Sequence, residues 1–72
     1  MIVCGEKVRV KTGNPKILPE YYGQEGRIHS RNRMLRALGA GLYEIRFFDK
    51  SLNHPIMGVM GGFNEDDLEV VS

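Results

Sequence analysis

The sequence lacks tryptophan and has a single cysteine, Cys4, so no disulfide can form within the chain. Its two histidines, His29 and His54, lie far apart, and no cysteine or histidine stands at metal-ligand spacing around either one. We therefore expect no structural metal and no cofactor. A chain of 72 residues without such supports has a small margin of stability. Self-association or docking on a larger protein is the expected source of additional stability.

Long apolar runs are also missing from the chain. No stretch approaches the ~18 apolar residues that a membrane-spanning helix requires, and the N-terminus has no apolar core after a basic start. Together with the lone thiol, these features predict a cytoplasmic protein without a membrane partner. The length predicts one domain over residues 1–72.

Both ends of the chain alternate apolar and charged residues, which is typical of a strand with one buried face. Near the N-terminus, Val8 and Val10 alternate with basic residues, and Leu68 and Val70 alternate similarly near the C-terminus. The sequence predicts an all-β fold with five strands, at residues 7–11, 24–31, 42–48, 57–60 and 68–71. Residues 64–67 are expected to form a tight turn or one 3₁₀ turn.

The conformations of the two long loops, before and after the second predicted strand, are less well defined by the sequence. The first loop contains Pro15 and Pro19, which argue against both a helix and a central strand. Residues 33–38 are good helix formers. Gly41, three residues further on, would end any helix that they begin. For residues 32–41, one or two turns of helix and an irregular hairpin loop therefore both stay open.

The predicted arrangement resembles an SH3-like barrel. The residues that carry the resemblance are Gly5, Val8 and Val10, then Gly23 and Gly26 before Arg27 and Ile28, then Tyr43, Ile45 and Phe47, and finally Phe63, Asp66, Asp67, Leu68 and Val71. Within that superfamily the pattern is similar to the ferredoxin-docking accessory subunit of photosystem I and to the variable chain of ferredoxin–thioredoxin reductase. It also resembles the KOW-type barrels of ribosomal and transcription proteins. The resemblance implies a five-stranded barrel that binds other macromolecules.

No catalytic constellation is evident in the sequence. Cys4 with a histidine and Asp49 could be drawn as a triad, but nothing in the sequence brings the three together. Cys4 is better explained as a small apolar filler. Asp66 and Asp67 are better explained by a turn that accepts negative charge than by acid–base catalysis. We therefore expect a protein that is not an enzyme.

The loops contain more large apolar residues than so small a barrel can bury. Exposed methionine and leucine commonly mark an interface. The predicted protein-binding residues are Met34, Leu35, Leu38, Ile56 and Met57. The alternative is that the long loops, including Ile17 and Leu18, fold back to cover the core. The resulting hypothesis is a non-catalytic module that binds itself or a larger protein.

Basic residues are concentrated in the first half of the chain. Residues 7–36 contain eight lysines and arginines, whereas most of the carboxylates follow later. This distribution supports the alternative hypothesis, a KOW-like nucleic-acid-binding barrel. Its predicted contacts are Arg27, His29, Arg31, Arg33 and Arg36. The same cations could equally steer an acidic protein toward the chain, or form no more than a solvated basic face.

Overall fold

A computed structural model of the chain describes residues 2–31 and 42–71. The strands are β1 (Lys7–Val10), β2 (Glu25–Arg31), β3 (Tyr43–Phe47), β4 (Met60–Phe63) and β5 (Leu68–Val70). They form one antiparallel sheet in the order β4-β3-β2-β1-β5. The predicted all-β class with five strands is confirmed, as is the pairing of the first strand with the last. No pairing joins β4 to β5 among the described residues, so the sheet is compatible with a barrel without being closed.

The core is built from the inward-facing residues of the strands. Tyr43 and Ile45 on β3 are 1% and 0% exposed, and Val8 and Val10 on β1 are each 1% exposed. The ring of Tyr21 stacks on Phe47 at 5.4 Å between centroids, which draws the first loop onto the sheet. Burying one such large apolar side chain stabilises the fold by roughly 1.5–3 kcal/mol.

Within residues 2–31 and 42–71, three short 3₁₀ turns connect the strands, at Pro19–Tyr21, Lys50–Leu52 and Glu65–Asp67. The last of these confirms the turn predicted at residues 64–67. It begins after Asn64, whose backbone N–H donates to Oδ2 of Asp67 at 3.0 Å. The Asp67 carboxylate also accepts from Nδ2 of Asn14 at 2.8 Å, so this buried acid joins the first loop to the last turn.

The fourth strand lies three residues later than predicted. Residues 55–57 form a turn, and Gly58 follows with a φ of +73°, a conformation that ends an extended segment and that glycine adopts without strain. Strand pairing with β3 therefore begins only at Met60, opposite Ile45. The methionine and valine of this region had suggested a strand where the chain in fact turns.

Two predictions about individual side chains are wrong. The alternation near the C-terminus predicts that Val70 lies on the buried face of the last strand, but it is 55% exposed. β5 is an edge strand and Val70 is its last residue, so no further strand covers it. Cys4 is exposed in a turn near the N-terminus and does not fill the core. The first loop divides between the two alternatives, because Ile17 is buried while Leu18 is 59% exposed.

Candidate functional site

The segment between the second 3₁₀ turn and β4 is a compact loop, residues 54–59, which we call the apical loop. Its ends are joined by hydrogen bonds from the N–H of His54 to the carbonyl of Val59 at 3.2 Å and from the N–H of Gly58 to the carbonyl of His54 at 2.8 Å. The ring nitrogen Nδ1 of His54 accepts from the N–H groups of Ile56 and Met57, at 3.2 and 3.3 Å. These bonds fix the backbone of the loop without using the side chains at its tip.

The tip of the apical loop is apolar and open to solvent. Ile56 is 89% exposed and Met57 is 63% exposed. These two members of the predicted protein-binding set therefore lie side by side on one loop. The other three, Met34, Leu35 and Leu38, lie outside the described residues.

The side chain of Asn53 attaches the apical loop to β3. Its Oδ1 accepts from the N–H of Phe47 at 2.8 Å, and its Nδ2 donates to the carbonyl of Phe47 at 3.0 Å. An amide side chain thus pairs with both backbone groups of Phe47, as a neighbouring strand would. The preceding residue, Leu52, is buried in the core. The exposed tip consequently stands on a firmly connected base.

A groove of about 670 Å³ lies between the apical loop and the outer face of the sheet. We call it the basic groove, because its ionisable side chains are all basic. They are Arg27, His29, Arg46, Lys50 and His54. Phe48, which is 55% exposed, and Pro55 contribute apolar surface to the same groove. Its volume falls in the range of protein sites that hold a ligand or a short chain segment.

The strand register explains why cations accumulate beside the groove. Lys7 on β1 is opposite Arg27 on β2, and Arg27 is opposite Arg46 on β3. Residues directly opposite one another in adjacent strands point to the same face, about 5 Å apart. The result is a row of three cations across the exposed side of the sheet, which we call the cationic row.

The cationic row has little compensating negative charge. Lys7 lies 3.6 Å from a carboxylate oxygen of Glu25, but Arg27 and Arg46 form no ion pair with a carboxylate in the described part of the chain. Residues 32–41 contain no aspartate or glutamate that could serve instead. Glu44, two residues before Arg46 on β3, accepts a hydrogen bond from the hydroxyl of Ser30.

A β-bulge at His29 sorts the predicted nucleic-acid contacts into two groups. Ile28 is opposite Ile45 but Ser30 is opposite Glu44, so β2 has one more residue than β3 here. A bulge of this kind re-aims the residues on either side of it. Arg27 and His29 line the basic groove, whereas Arg31 lies over the ring of Tyr43, 5.8 Å from its centroid. Arg33 and Arg36 lie outside the described residues.

A second pocket, of about 650 Å³, contains Arg31 together with the acidic residues of the last turn. The carboxylate of Glu65 accepts from the hydroxyl of Tyr43 at 3.0 Å and from the N–H of Ile2 at 3.2 Å. The hydrogen bond from Tyr43 is the main cause that lowers the pKa of Glu65. Burial, followed by this carboxylate, raises the pKa of Tyr43. These contacts attach the N-terminus and the last turn to the core, so we assign this pocket a structural role.

Asp49 and His54, which were considered for catalysis, make hydrogen bonds within their own loops instead. Asp49 accepts from the N–H and hydroxyl of Ser51, and these bonds lower the pKa of its carboxyl group. The Nδ1 atom of His54 accepts from its own loop. Over residues 2–31 and 42–71, no group of three or more His, Cys, Asp or Glu could hold a metal ion.

Sequence reasoning missed three of the groove residues, Arg46, Phe48 and Lys50. The alternation of β3 already places Arg46 and Phe48 on its outward side, which is a usable signal. What the sequence could not supply was the register that sets Arg46 opposite Arg27.

Comparison with known proteins identifies no relative. No family model matches the sequence, and neither a curated protein nor a solved structure shows a significant match. A search of the described residues for a helix that could cross a membrane also finds none.

Proposed function

We propose that this chain is a small non-catalytic binding module that associates with another protein, either a second copy or a larger partner, through the apical loop and the adjoining groove. The observation that carries the proposal is the 89% exposure of Ile56 at the tip of a loop whose backbone is hydrogen-bonded internally. We further propose a cytoplasmic setting, which is consistent with the lone thiol of Cys4.

The rigidity of the apical loop favours recognition. A loop whose backbone is already held by hydrogen bonds loses less conformational entropy on binding than a flexible segment does. An isoleucine and a methionine that protrude together can enter a pocket of a partner and serve as anchors. Their exposure in the free chain leaves apolar area in water that a partner would cover.

The two exposed side chains alone do not make an interface of ordinary size. Specific protein interfaces bury about 800 Å² on each partner. The binding surface must therefore extend from the loop to its surroundings, and the apolar surface of Phe48 and Pro55 in the basic groove adjoins it. The interface we propose has the loop tip as its apolar anchor and the groove as its polar border.

Site-specific photo-crosslinking tests this proposal. A photo-reactive amino acid placed at Ile56 should crosslink the chain to a defined protein, either a second copy or another protein. The experiment uses cells of the organism that naturally produces the chain. The matched control is the same group at Leu18, which is 59% exposed on the first loop. Crosslinks of equal yield and identity from both positions, or none from Ile56, would contradict the proposal.

Charge variants supply a second test. In the double variant Ile56→Glu with Met57→Glu, we expect self-association, or recovery of the protein that crosslinking identifies, to fall at least tenfold, because two charges would enter an apolar contact. Leu18→Glu should leave it within twofold of the wild type. Light scattering measures self-association. Recovery of the identified protein on the immobilised chain measures binding to a different partner.

The nucleic-acid hypothesis is the second candidate, and the cationic row is the feature that supports it. If the chain binds an oligonucleotide, log Kd should rise with log salt with a slope near one per phosphate contact. Replacing Arg27 and Arg46 with glutamine should then lower that slope by roughly two. A slope that does not change would remove the groove from nucleic-acid binding.

A further inference from the structure

We propose that the occupant of the basic groove is an extended acidic segment of a partner protein, with carboxylates on Arg27 and Arg46 and an apolar side chain beside Phe48. This inference rests on the proposed protein-binding function and names the chemistry of the partner. Three features of the groove lead to it: uncompensated charge, the arrangement of the donors, and apolar surface beside them.

The charge argument begins with the strand register. Arg27 and Arg46 are directly opposite on adjacent strands, and like charges in that position destabilise a sheet. No carboxylate of the described residues pairs with either of them. An anionic ligand between them would replace this repulsion by attraction. Relief of the repulsion in the free chain would therefore add to the free energy of binding. Lys50, which also lines the groove, adds a third cation.

The arrangement of the donors suits carboxylates. Nη1 of Arg27 donates to the carbonyl of Gly5 at 3.0 Å, which restrains the guanidinium and uses one of its five N–H groups. Guanidinium groups bind carboxylates through two parallel hydrogen bonds. Side chains two residues apart on an extended segment lie on one side, about 7 Å from each other. Two such carboxylates can reach one arginine each across neighbouring strands.

The apolar part of the groove identifies the third contact. Phe48 is 55% exposed and lies two residues beyond Arg46, and Pro55 approaches from the apical loop. A leucine or an aromatic side chain two residues from a carboxylate, on the same side of the partner segment, could cover both. The exposed Ile56 follows Pro55 directly, so the same partner can contact the loop tip.

Several features favour a protein segment over a nucleic acid. Along the sheet, the cationic row is followed by Glu25, Arg9 and Glu69, whose two carboxylates would repel a polyphosphate that extended past the groove. The formal net charge of the whole chain is only +1, which gives little long-range attraction for a polyanion. A short segment with two carboxylates requires positive charge only where the groove provides it.

Panning of a random peptide display library on the immobilised full chain tests the inference. We expect the selected peptides to share two acidic residues two positions apart, with a large apolar residue two positions beyond one of them. Binding of a selected peptide should weaken at least tenfold in the double variant Arg27→Gln with Arg46→Gln. The control is the double variant Lys11→Gln with Lys16→Gln, which removes two exposed cations outside the groove and should stay within twofold. A near-wild-type circular dichroism spectrum and unfolding midpoint for each variant would show that it is folded.

The outcomes separate this inference from the proposed function. Selected peptides that are not acidic, but lose affinity in the Ile56→Glu variant, would overturn the charge inference and support the binding module. Failure to select any peptide, together with arginine-dependent binding of a labelled oligothymidine, would overturn it in favour of nucleic acid. Failure of every ligand to bind, with no effect of the loop variants on association, would overturn both proposals. If the chain itself is the acidic occupant, light scattering will show self-association that the arginine variants abolish.

Discussion

Two neighbouring rows of residues on the exposed face of the sheet make opposite use of arginine. In one row, Arg9 on β1 lies between Glu25 and Glu69, with Nε donating to Glu25 at 2.9 Å and Nη1 donating to Glu69 at 3.2 Å. Two residues away, the cationic row places Arg27 opposite Arg46 with no such partners. We call the first the neutralised row.

The difference teaches where to look for a binding site. The charge of Arg9 is used within the fold: the hydrogen bond from Arg9 lowers the pKa of Glu25, and the carboxylates raise the pKa of Arg9. The charges of Arg27 and Arg46 are not used in this way, although they belong to the same sheet. The uncompensated pair is therefore the feature on which the proposed recognition site depends.

The largest expected effect comes from Gly26, which lies between the two rows on β2. A Cβ atom at this position would stand 2.5 Å from the carbonyl oxygen of Arg46 and 2.8 Å from Cα of Phe47. These are backbone atoms, so relief requires β3 to move away from β2. We expect Gly26→Ala to lower the free energy of unfolding by about 1–3 kcal/mol or more, as measured by urea denaturation.

Gly61→Ala is the matched control for this change. A Cβ atom at Gly61 would meet Cγ of Glu44 at 3.3 Å, and this flexible side chain can give way. We expect a loss of less than about 1 kcal/mol. Equal losses for the two alanine variants would mean that close approach of β2 and β3 does not set the register of the rows.

A smaller effect is expected from Arg9→Gln in the neutralised row. Loss of the guanidinium leaves Glu25 and Glu69 on one face without their shared cation, so the variant should be less stable than the wild type at pH 7. High salt should reduce the difference, because the three side chains are partly exposed.

The pH dependence of this variant gives a sharper result. The folded protein lowers the pKa of Glu25. The corresponding stability is therefore fully present above the unfolded value of about 4.3 and is lost as pH falls through the lower folded value. The difference in unfolding midpoint between Arg9→Gln and the wild type should thus shrink below about pH 4. A difference that stays constant down to pH 2 would show that Arg9 does not act through this carboxylate.

Arg46→Gln in the cationic row should have the opposite sign. Removing one of two opposed like charges is expected to leave stability unchanged or raise it by about 0.2–0.5 kcal/mol. Urea denaturation in low and high salt measures the change, which should disappear as salt screens the repulsion. A loss above about 1 kcal/mol would mean that Arg46 supports the fold and that the two rows do not differ as described.

The smallest effect is expected at Lys7, which belongs to the cationic row but also contacts Glu25 of the neutralised row. It lies 3.6 Å from Glu25 and is also opposite Arg27, so attraction and repulsion act on it together. For Lys7→Gln we expect a change within about 0.5 kcal/mol of zero. A larger change of either sign in urea denaturation would show which of the two rows controls this residue.

Much of the fold could be predicted from local patterns. Alternation of Val8 and Val10 with charged residues identified β1, and the apolar positions of β3 identified the centre of the core. The predicted burial of Val70 at the end of β5 was wrong, because local alternation does not reveal that this residue lacks a covering neighbour. β4 was displaced because a glycine-rich stretch with large apolar residues is compatible with either a turn or a strand.

The site could be predicted only in part. Ile56 and Met57 were identified because the chain has more apolar residues than its core can hold. The basic groove depends on the register that sets Arg27 opposite Arg46 and on the bulge at His29, which turns Arg31 toward Tyr43. Both arise from pairing between segments distant in sequence, so spacing along the chain could not reveal them.

Amide NMR gives the most direct test of the central claim, that the cationic row and the apical loop recognise an acidic partner while the neutralised row maintains the fold. The labelled wild-type chain would be titrated with an acetylated peptide that carries Glu-Ser-Glu-Ser-Leu at the centre of a Gly–Ser frame, so that both carboxylates and the leucine lie on one side of an extended segment. We predict saturable shifts concentrated at Arg27, Arg46, Phe48, His54 and residues 56–58, and none with the matching Gln-Ser-Gln-Ser-Leu peptide. Shifts centred on Arg9 and Glu69, or no shifts at millimolar peptide, would contradict the account.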